Sequence, residues 1–263
     1  MKIAYFDCFS GVSGDMMLGA LLDAGIDEAA WRGELAKLHV PGYDLTIGKV
    51  VKEGISGVDV DVVLQEQDEA HGRHLSDITE ILKASGLSEN VRCRALSAFT
   101  ILARAEAKIH AMTPDSIHFH EVGAIDAIVD IVGACIGLEM LGVEKVYCSS
   151  LPFNRGWVEC AHGTMPVPAP ATLELLVGFA LRPDDRQKEL ITPTGAALLA
   201  EFAERTDGGD IAPVPPFRLR RVGYGAGKRD SWIPNLLRLL VGETYEEPPK
   251  KPFGTRRINR AAS

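Results

Sequence analysis

One segment limits the fold more than any other. AIDAIVDIVGACIGLEML, at 124–141, is apolar or glycine except for Asp126, Asp130 and Glu139. A helix so apolar around its circumference belongs inside a core. Charged side chains are rarely fully buried unless they are paired or bound to metal. Asp126 and Asp130 are four residues apart and share one helical face, while Ile125, Ile128, Val129 and Val132 mark the neighbouring apolar face. Just upstream, IHFHEVG places His118, His120 and Glu121. An extended backbone there puts His118 and His120 on the same side. Two readings stand. In one, the acids and imidazoles surround a cation, for which nitrogen and oxygen donors suit zinc, nickel or cobalt. In the other, Asp126 sits in the favourable first turn of an ordinary helix, Asp130 is solvated and the histidines are satisfied loop residues.

Around this helix the chain reads as strand–loop–helix units. KIAYF is a strand, DCFSGVSGD a Gly/Ser loop, and MMLGALLDAG a helix stopped by Gly25. YDLTIGKVVKEGISGVDVDVVL alternates and predicts two or three antiparallel strands. HLSDITEILKAS predicts a helix starting near Ser76 or Asp77, and NVRCRALSAFTILARAEAKIHAM the longest helix. VEKVYCSSL is a strand, and a Gly/Pro-rich loop then runs into a helix starting near Pro170. ELI, TPTG and an Ala/Leu helix repeat the first plan, with proline at the helix start. RLRRVGYGAG and NLLRLLVGE read as strands around a glycine loop, with TDGGDIAPVPPF as a linker before them. The expected class is α/β (mixed α+β): a central mixed sheet flanked by helices, with Gly/Pro-rich site loops. A sub-boundary is expected near 65–75, and the Pro-rich, charged stretch 243–263 is expected to be disordered.

Composition excludes some partners. A net charge of −8 argues against nucleic acid. No apolar run reaches the ~18 residues of a membrane span, and the first residues do not read as a signal peptide. Five scattered cysteines with no CxxC suit a reduced, cytoplasmic protein.

Further candidate positions lie in loops. Ser10, Gly11, Ser13 and Gly14 precede a helix N-terminus, where backbone N–H groups favour anions. Asp7 and Asp15 add negative charge there, so a phosphate needs a metal or a basic residue alongside. Thr192 and Thr194 form a second such cradle, and Lys228 and Arg229 supply positive charge. His71 and His74 stand among Asp68, Glu69 and Asp77, and His162 precedes a proline-rich loop. Walker, GxSxG, GxGxxG and HExxH patterns are missing, which leaves metal or phosphate chemistry at loops, with histidines as ligands or proton carriers.

The stretches DCFSGVSGDMMLGALLDAG, HLSDI, HFHEVGAIDAIVDIVG, HGTMPVPAPAT, ELITPTGAALL and GYGAG, in this order across roughly residues 1–242, resemble the LarC nickel-insertion proteins. The resemblance implies insertion of nickel into pyridinium-3,5-bisthiocarboxylic acid mononucleotide, making the nickel-pincer nucleotide cofactor of lactate racemase. It implies a reaction that uses CTP with Mn or Mg. His118, His120 or Glu121 would take the ring proton. The loops at Ser10–Gly14 and Thr192–Thr194 would seat the phosphate. Nickel ligands would come from His71, His74, His118, His120, Asp126, Asp130 and His162. Lactate racemase and the sulfur-inserting enzyme of the pathway are the implied protein partners, and a homo-oligomer is expected. Three departures accompany the likeness. The family's His-rich insert is reduced here to EAHGRH. A serine common after the first Asp of the signature helix is Ala127. The family's C-terminal, CTP-binding domain has no counterpart after TYEEPPKK. The chain is therefore expected to be the N-terminal portion, needing that half for turnover. The alternative is a non-catalytic module that binds nickel or the precursor and presents it to a partner.

Overall fold

The computed structural model describes residues 1–65, 73–119, 125–160 and 163–245. The expected sub-boundary and tail fall largely outside them.

The described elements run β1 (Lys2–Asp7), α1 (Gly14–Asp23), α2 (Glu28–Leu35), β2 (Tyr43–Lys52), β3 (Ile55–Leu64), β4 (Arg73–His74), α3 (Leu75–Ala84) and α4 (Glu89–His110). Then come β5 (His118–Phe119), α5 (Ile125–Leu141), β6 (Lys145–Cys148), β7 (Leu151–Phe153), β8 (Trp157–Cys160) and β9 (Gly163–Pro166). The chain continues with α6 (Pro170–Leu175), β10 (Leu181–Pro183), α7 (Pro193–Phe202), β11 (Phe217–Ala226) and β12 (Leu236–Thr244). Six strands form a mixed sheet in the order β2-β3-β11-β12-β1-β6. β1 runs parallel to β6 and antiparallel to β12, which pairs antiparallel with β11. The mixed α/β class expected from the pattern is the class found. No described helix is long and apolar enough to cross a membrane.

The apolar helix is the hub. α5 buries residues all around its axis and packs against α1, α2, α4 and α7. The indole N–H of Trp31 donates to the Gly133 carbonyl at 2.9 Å, locking α2 to α5. α2 was not anticipated: its apolar signal is only Trp31 and Leu35, four apart, behind an Asp27 cap that accepts from the Ala30 N–H.

α1 lies across β3, β11 and β12. This close approach accounts for the glycines of GYGAG, which end the segment expected, and found, as a strand. A Cβ on Gly225 would stand 1.8 Å from the Met16 carbonyl oxygen of α1, and one on Gly223 would stand 2.1 Å from that of Ala20. Both glycines lie within β11 and admit the helix.

Two local expectations shift. ELI forms no strand; Ile191 makes only an isolated parallel bridge to Val12. The long loop before Pro170 contains β7, β8 and β9, with β7 paired to β10 and β8 to β9.

Candidate functional site

The bridge between Val12 and Ile191 assembles the site. The Val12 N–H donates to the Leu190 carbonyl at 2.9 Å, and the Thr192 N–H donates to the Val12 carbonyl at 3.1 Å. Two loops distant in sequence are thus tied side by side, each opening into a helix. Gly11 permits the approach: its φ is +113° and its α-carbon faces the Leu190 carbonyl. Beyond the bridge, Ser13, Gly14, Thr192 and Thr194 line one cavity together with Asp126 and Asp130 of α5. Its volume is about 330 Å³.

Asp130 sits deepest. Its carboxylate rests against the α-carbon of Gly14, where an added Cβ would meet Oδ2 at 2.2 Å. Burial pushes the Asp130 carboxyl well above the usual carboxylate range, and the charges of Asp15 and Asp126 push it further. Asp126, at the more open mouth of the cavity, is also raised by burial. Asp15 is raised by burial too, against a lowering hydrogen bond from the Ser13 hydroxyl.

Asp61 and Lys228 complete the wall. The Lys228 ammonium reaches Asp59 at 2.8 Å and Asp61 at 3.3 Å. Burial pulls this ammonium down, and the two β3 carboxylates outweigh that effect and hold it charged. Asp59 and Asp61 were not anticipated. The signal was present in VDVDV, because residues two apart on a strand share a face. One ammonium therefore faces four lining carboxylates, Asp15, Asp61, Asp126 and Asp130. Like charges crowded into a half-buried space repel, and a divalent cation reverses that sign.

The other expected positions lie as follows. The Ser10 hydroxyl is buried and accepts from Arg186 Nη1 at 2.7 Å; Arg186 in turn grips Asp184 at 2.7 and 2.8 Å. Asp7 pairs with Arg238 on the neighbouring strand and lends no charge to the cavity. His74 and His118 pair across β4 and β5, with ring centroids 4.9 Å apart in an edge-on arrangement. His74 Nδ1 lies 2.9 Å from the Ile117 carbonyl; donation to it leaves Nε2 as the basic nitrogen. His118 lines a different cavity, of about 320 Å³, with Glu106, His110 and Glu159. Pro193 is common to the walls of both. His71, His120, Glu121 and His162 lie outside the described residues. Among the described residues, no three His, Cys, Asp or Glu side chains stand close enough together to hold a metal ion by themselves.

The threonine loop has a structural role as well. Thr192 caps α7, its hydroxyl accepting from the Gly195 N–H at 3.2 Å and lying 2.9 Å from the Thr194 hydroxyl. Thr192→Ala is expected to lower stability by about 1 kcal/mol, the usual worth of an N-cap. A urea unfolding midpoint equal to wild type would assign that cap no weight.

Comparison with known proteins identifies the family. A family model described as nickel insertion protein matches residues 4–257. A putative nickel insertion protein of Dictyoglomus thermophilum is 50% identical over 252 residues, covering 95% of this chain and 63% of the relative. A protein of Desulfitobacterium hafniense, named pyridinium-3,5-bisthiocarboxylic acid mononucleotide nickel insertion protein, is 52% identical over 247 residues, covering 94% of this chain and 60% of its own length. A Geobacillus kaustophilus protein of the same name is 46% identical over 253 residues, with 92% and 60% covered. The chain thus spans about six-tenths of the length of these relatives. No solved structure matches it significantly.

Proposed function

The chain belongs to the nickel insertion protein family, and from that premise we propose that it takes part in inserting nickel into pyridinium-3,5-bisthiocarboxylic acid mononucleotide. The observation that carries this reading is the convergence of the two phosphate-cradle loops and both α5 aspartates on one cavity. Nickel is cargo here. Asp126 and Asp130 would receive it with hard oxygen donors, completed by nitrogen or oxygen from His120 or Glu121. A borderline ion held by such donors passes readily to a softer sulfur and carbon set. In the product one ring C–H has become C–Ni and two S–Ni bonds have formed. The ring proton needs a base, and His118, His120 or Glu121 is assigned that role. The substrate phosphate would lie at Ser13–Gly14 or Thr192–Thr194, on the N-termini of α1 and α7.

CTP, with Mn or Mg, is assigned to the part of the longer relatives that this chain does not match. The product would serve lactate racemase, and the precursor would come from the sulfur-inserting enzyme of the same pathway, in the cytoplasm. A second reading, a module that binds nickel or precursor and presents it without turnover, is favoured by His118, the described candidate base, lining a different cavity from Asp126 and Asp130.

One experiment separates these. The chain is mixed with precursor, nickel, CTP and Mg, with and without the C-terminal half of a relative, and product is followed by its absorbance. Product only with the added half supports the insertion reading. Nickel or precursor binding without product in either mixture supports the module. Binding of neither removes both.

A further inference from the structure

A second, larger cavity adjoins the carboxylate cavity, sharing Ser13, Asp15, Thr192 and Lys228 with it. Its volume, about 550 Å³, is that of a small-molecule site. At its edge stands Trp232, 78% exposed. A tryptophan left so far in water forgoes the burial that usually holds this residue in a fold. Its loop is nevertheless pinned. The Gly227 N–H donates to the Asn235 carbonyl at 2.9 Å, Asn235 Nδ2 donates to the Arg229 carbonyl at 2.7 Å, and Lys52 pairs with Asp230 at 2.8 Å. A fixed loop thus presents a free indole face beside a large cavity.

The wall of that cavity carries both signs. Its carboxylates are Asp15, Asp185, Glu189 and Asp230. Its cations are Arg186, Lys188, Lys228 and Arg229. Arg186 is committed to Asp184 and Ser10, Lys228 to Asp59 and Asp61, and Arg229 to Glu189. Lys188 is exposed and donates to the Asp230 carbonyl at 3.0 Å, which leaves further N–H donors on its ammonium. A mixed wall suits a ligand that itself carries both charges better than a bare anion. Tryptophan is the best aromatic partner for a cation and stacks on any planar ring.

We infer that this cavity is the ring-binding subsite for a pyridinium mononucleotide, with Trp232 stacking on the cationic ring and Lys188 reaching the phosphate alongside the Ser13 and Thr192 loops that line the same cavity. The inference rests on the insertion reading for its ligand class. It places the ring beside the carboxylate cavity without drawing on that cavity's ligands.

The test is a titration of nicotinamide mononucleotide into the chain, with no nickel or CTP present. Tryptophan fluorescence is read in a Trp157→Phe background, because Trp157 is the other strongly exposed tryptophan, at 70%, and lines neither cavity. Binding is expected to fall roughly 10-fold or more in Trp232→Ala, read by calorimetry, and to persist in Trp232→Phe. Nicotinamide riboside, which lacks the phosphate, is expected to lose affinity on Trp232→Ala but not on Lys188→Ala. Equal binding of the mononucleotide by wild type and Trp232→Ala would overturn the inference. So would ribose 5-phosphate binding as tightly as the mononucleotide, or no mononucleotide binding at all. Ring binding without nickel product counts against the insertion reading alone. Nickel product with unchanged Trp232→Ala binding counts against this inference alone.

Discussion

Gly225→Ala is expected to lower the unfolding free energy by roughly 3 kcal/mol or more, at the upper end of overpacking effects. The new Cβ would lie 1.8 Å from the Met16 carbonyl oxygen and 2.5 Å from the Ala20 nitrogen. Both are backbone atoms of α1, so no rotamer change relieves the clash; helix and strand must separate. The loss corresponds to a melting temperature lower by roughly 6–12 °C for a chain of this size. The damage reaches the site as well. α1 carries Gly14 and Asp15 at its N-terminus, and Asp130 rests on Gly14. Gly48→Ala in β2, where an added Cβ meets nothing within 4 Å, is the control and should stay within about 0.5 kcal/mol of wild type. Equal melting curves for the two variants would refute close packing at GYGAG.

Asp130→Asn is expected to act in opposite directions on stability and on metal affinity. The Asp130 carboxyl is raised in the folded state, chiefly by burial. A raised acid holds its proton in the folded chain at a pH where the unfolded chain has already lost it. Stability linked to Asp130 is therefore fully present below the unfolded value of about 3.9, and is lost as pH rises toward the higher folded value. Wild type and Asp130→Asn should melt alike in acid. As pH rises through neutrality without metal, the variant should become the more stable of the two. The same variant should bind nickel roughly 10-fold more weakly or worse. A melting difference that does not change with pH would show that Asp130 carries no such strain.

Much of this was legible along the chain. The near-continuous apolar character of α5 marked it as a core helix, and the spacing of Asp126 and Asp130 marked one shared face. Both line the same cavity. The glycine, serine and proline punctuation placed the starts of α1 and α7, because those residues act locally. What local pattern does not encode is pairing across the fold. Nothing in FSGVSGD announces that Val12 bridges to Ile191, that Arg186 takes the Ser10 hydroxyl, or that Lys228 spans Asp59 and Asp61. Composition overstated the first loop as an anion cradle, since Ser10 turns inward while Ser13 and Gly14 face the cavity. The glycines of GYGAG have a purpose the local pattern does not show: they answer to a helix some 200 residues away in sequence. His74 and His118, grouped as ligands by the family likeness and not by any spacing rule, do meet across a short strand pair, 44 residues apart in sequence.

The account turns on whether the cavity between the N-terminal ends of α1, α5 and α7 receives a doubly charged ion. Calorimetric titration of nickel(II) into wild type and into the Asp126→Asn, Asp130→Asn double variant tests this directly, with the folded state of each checked by melting. Wild type should bind nickel at this site, and the double variant should lose at least 10-fold in affinity while melting no lower than wild type. A double variant that binds nickel as wild type does would place the ion elsewhere and contradict the account.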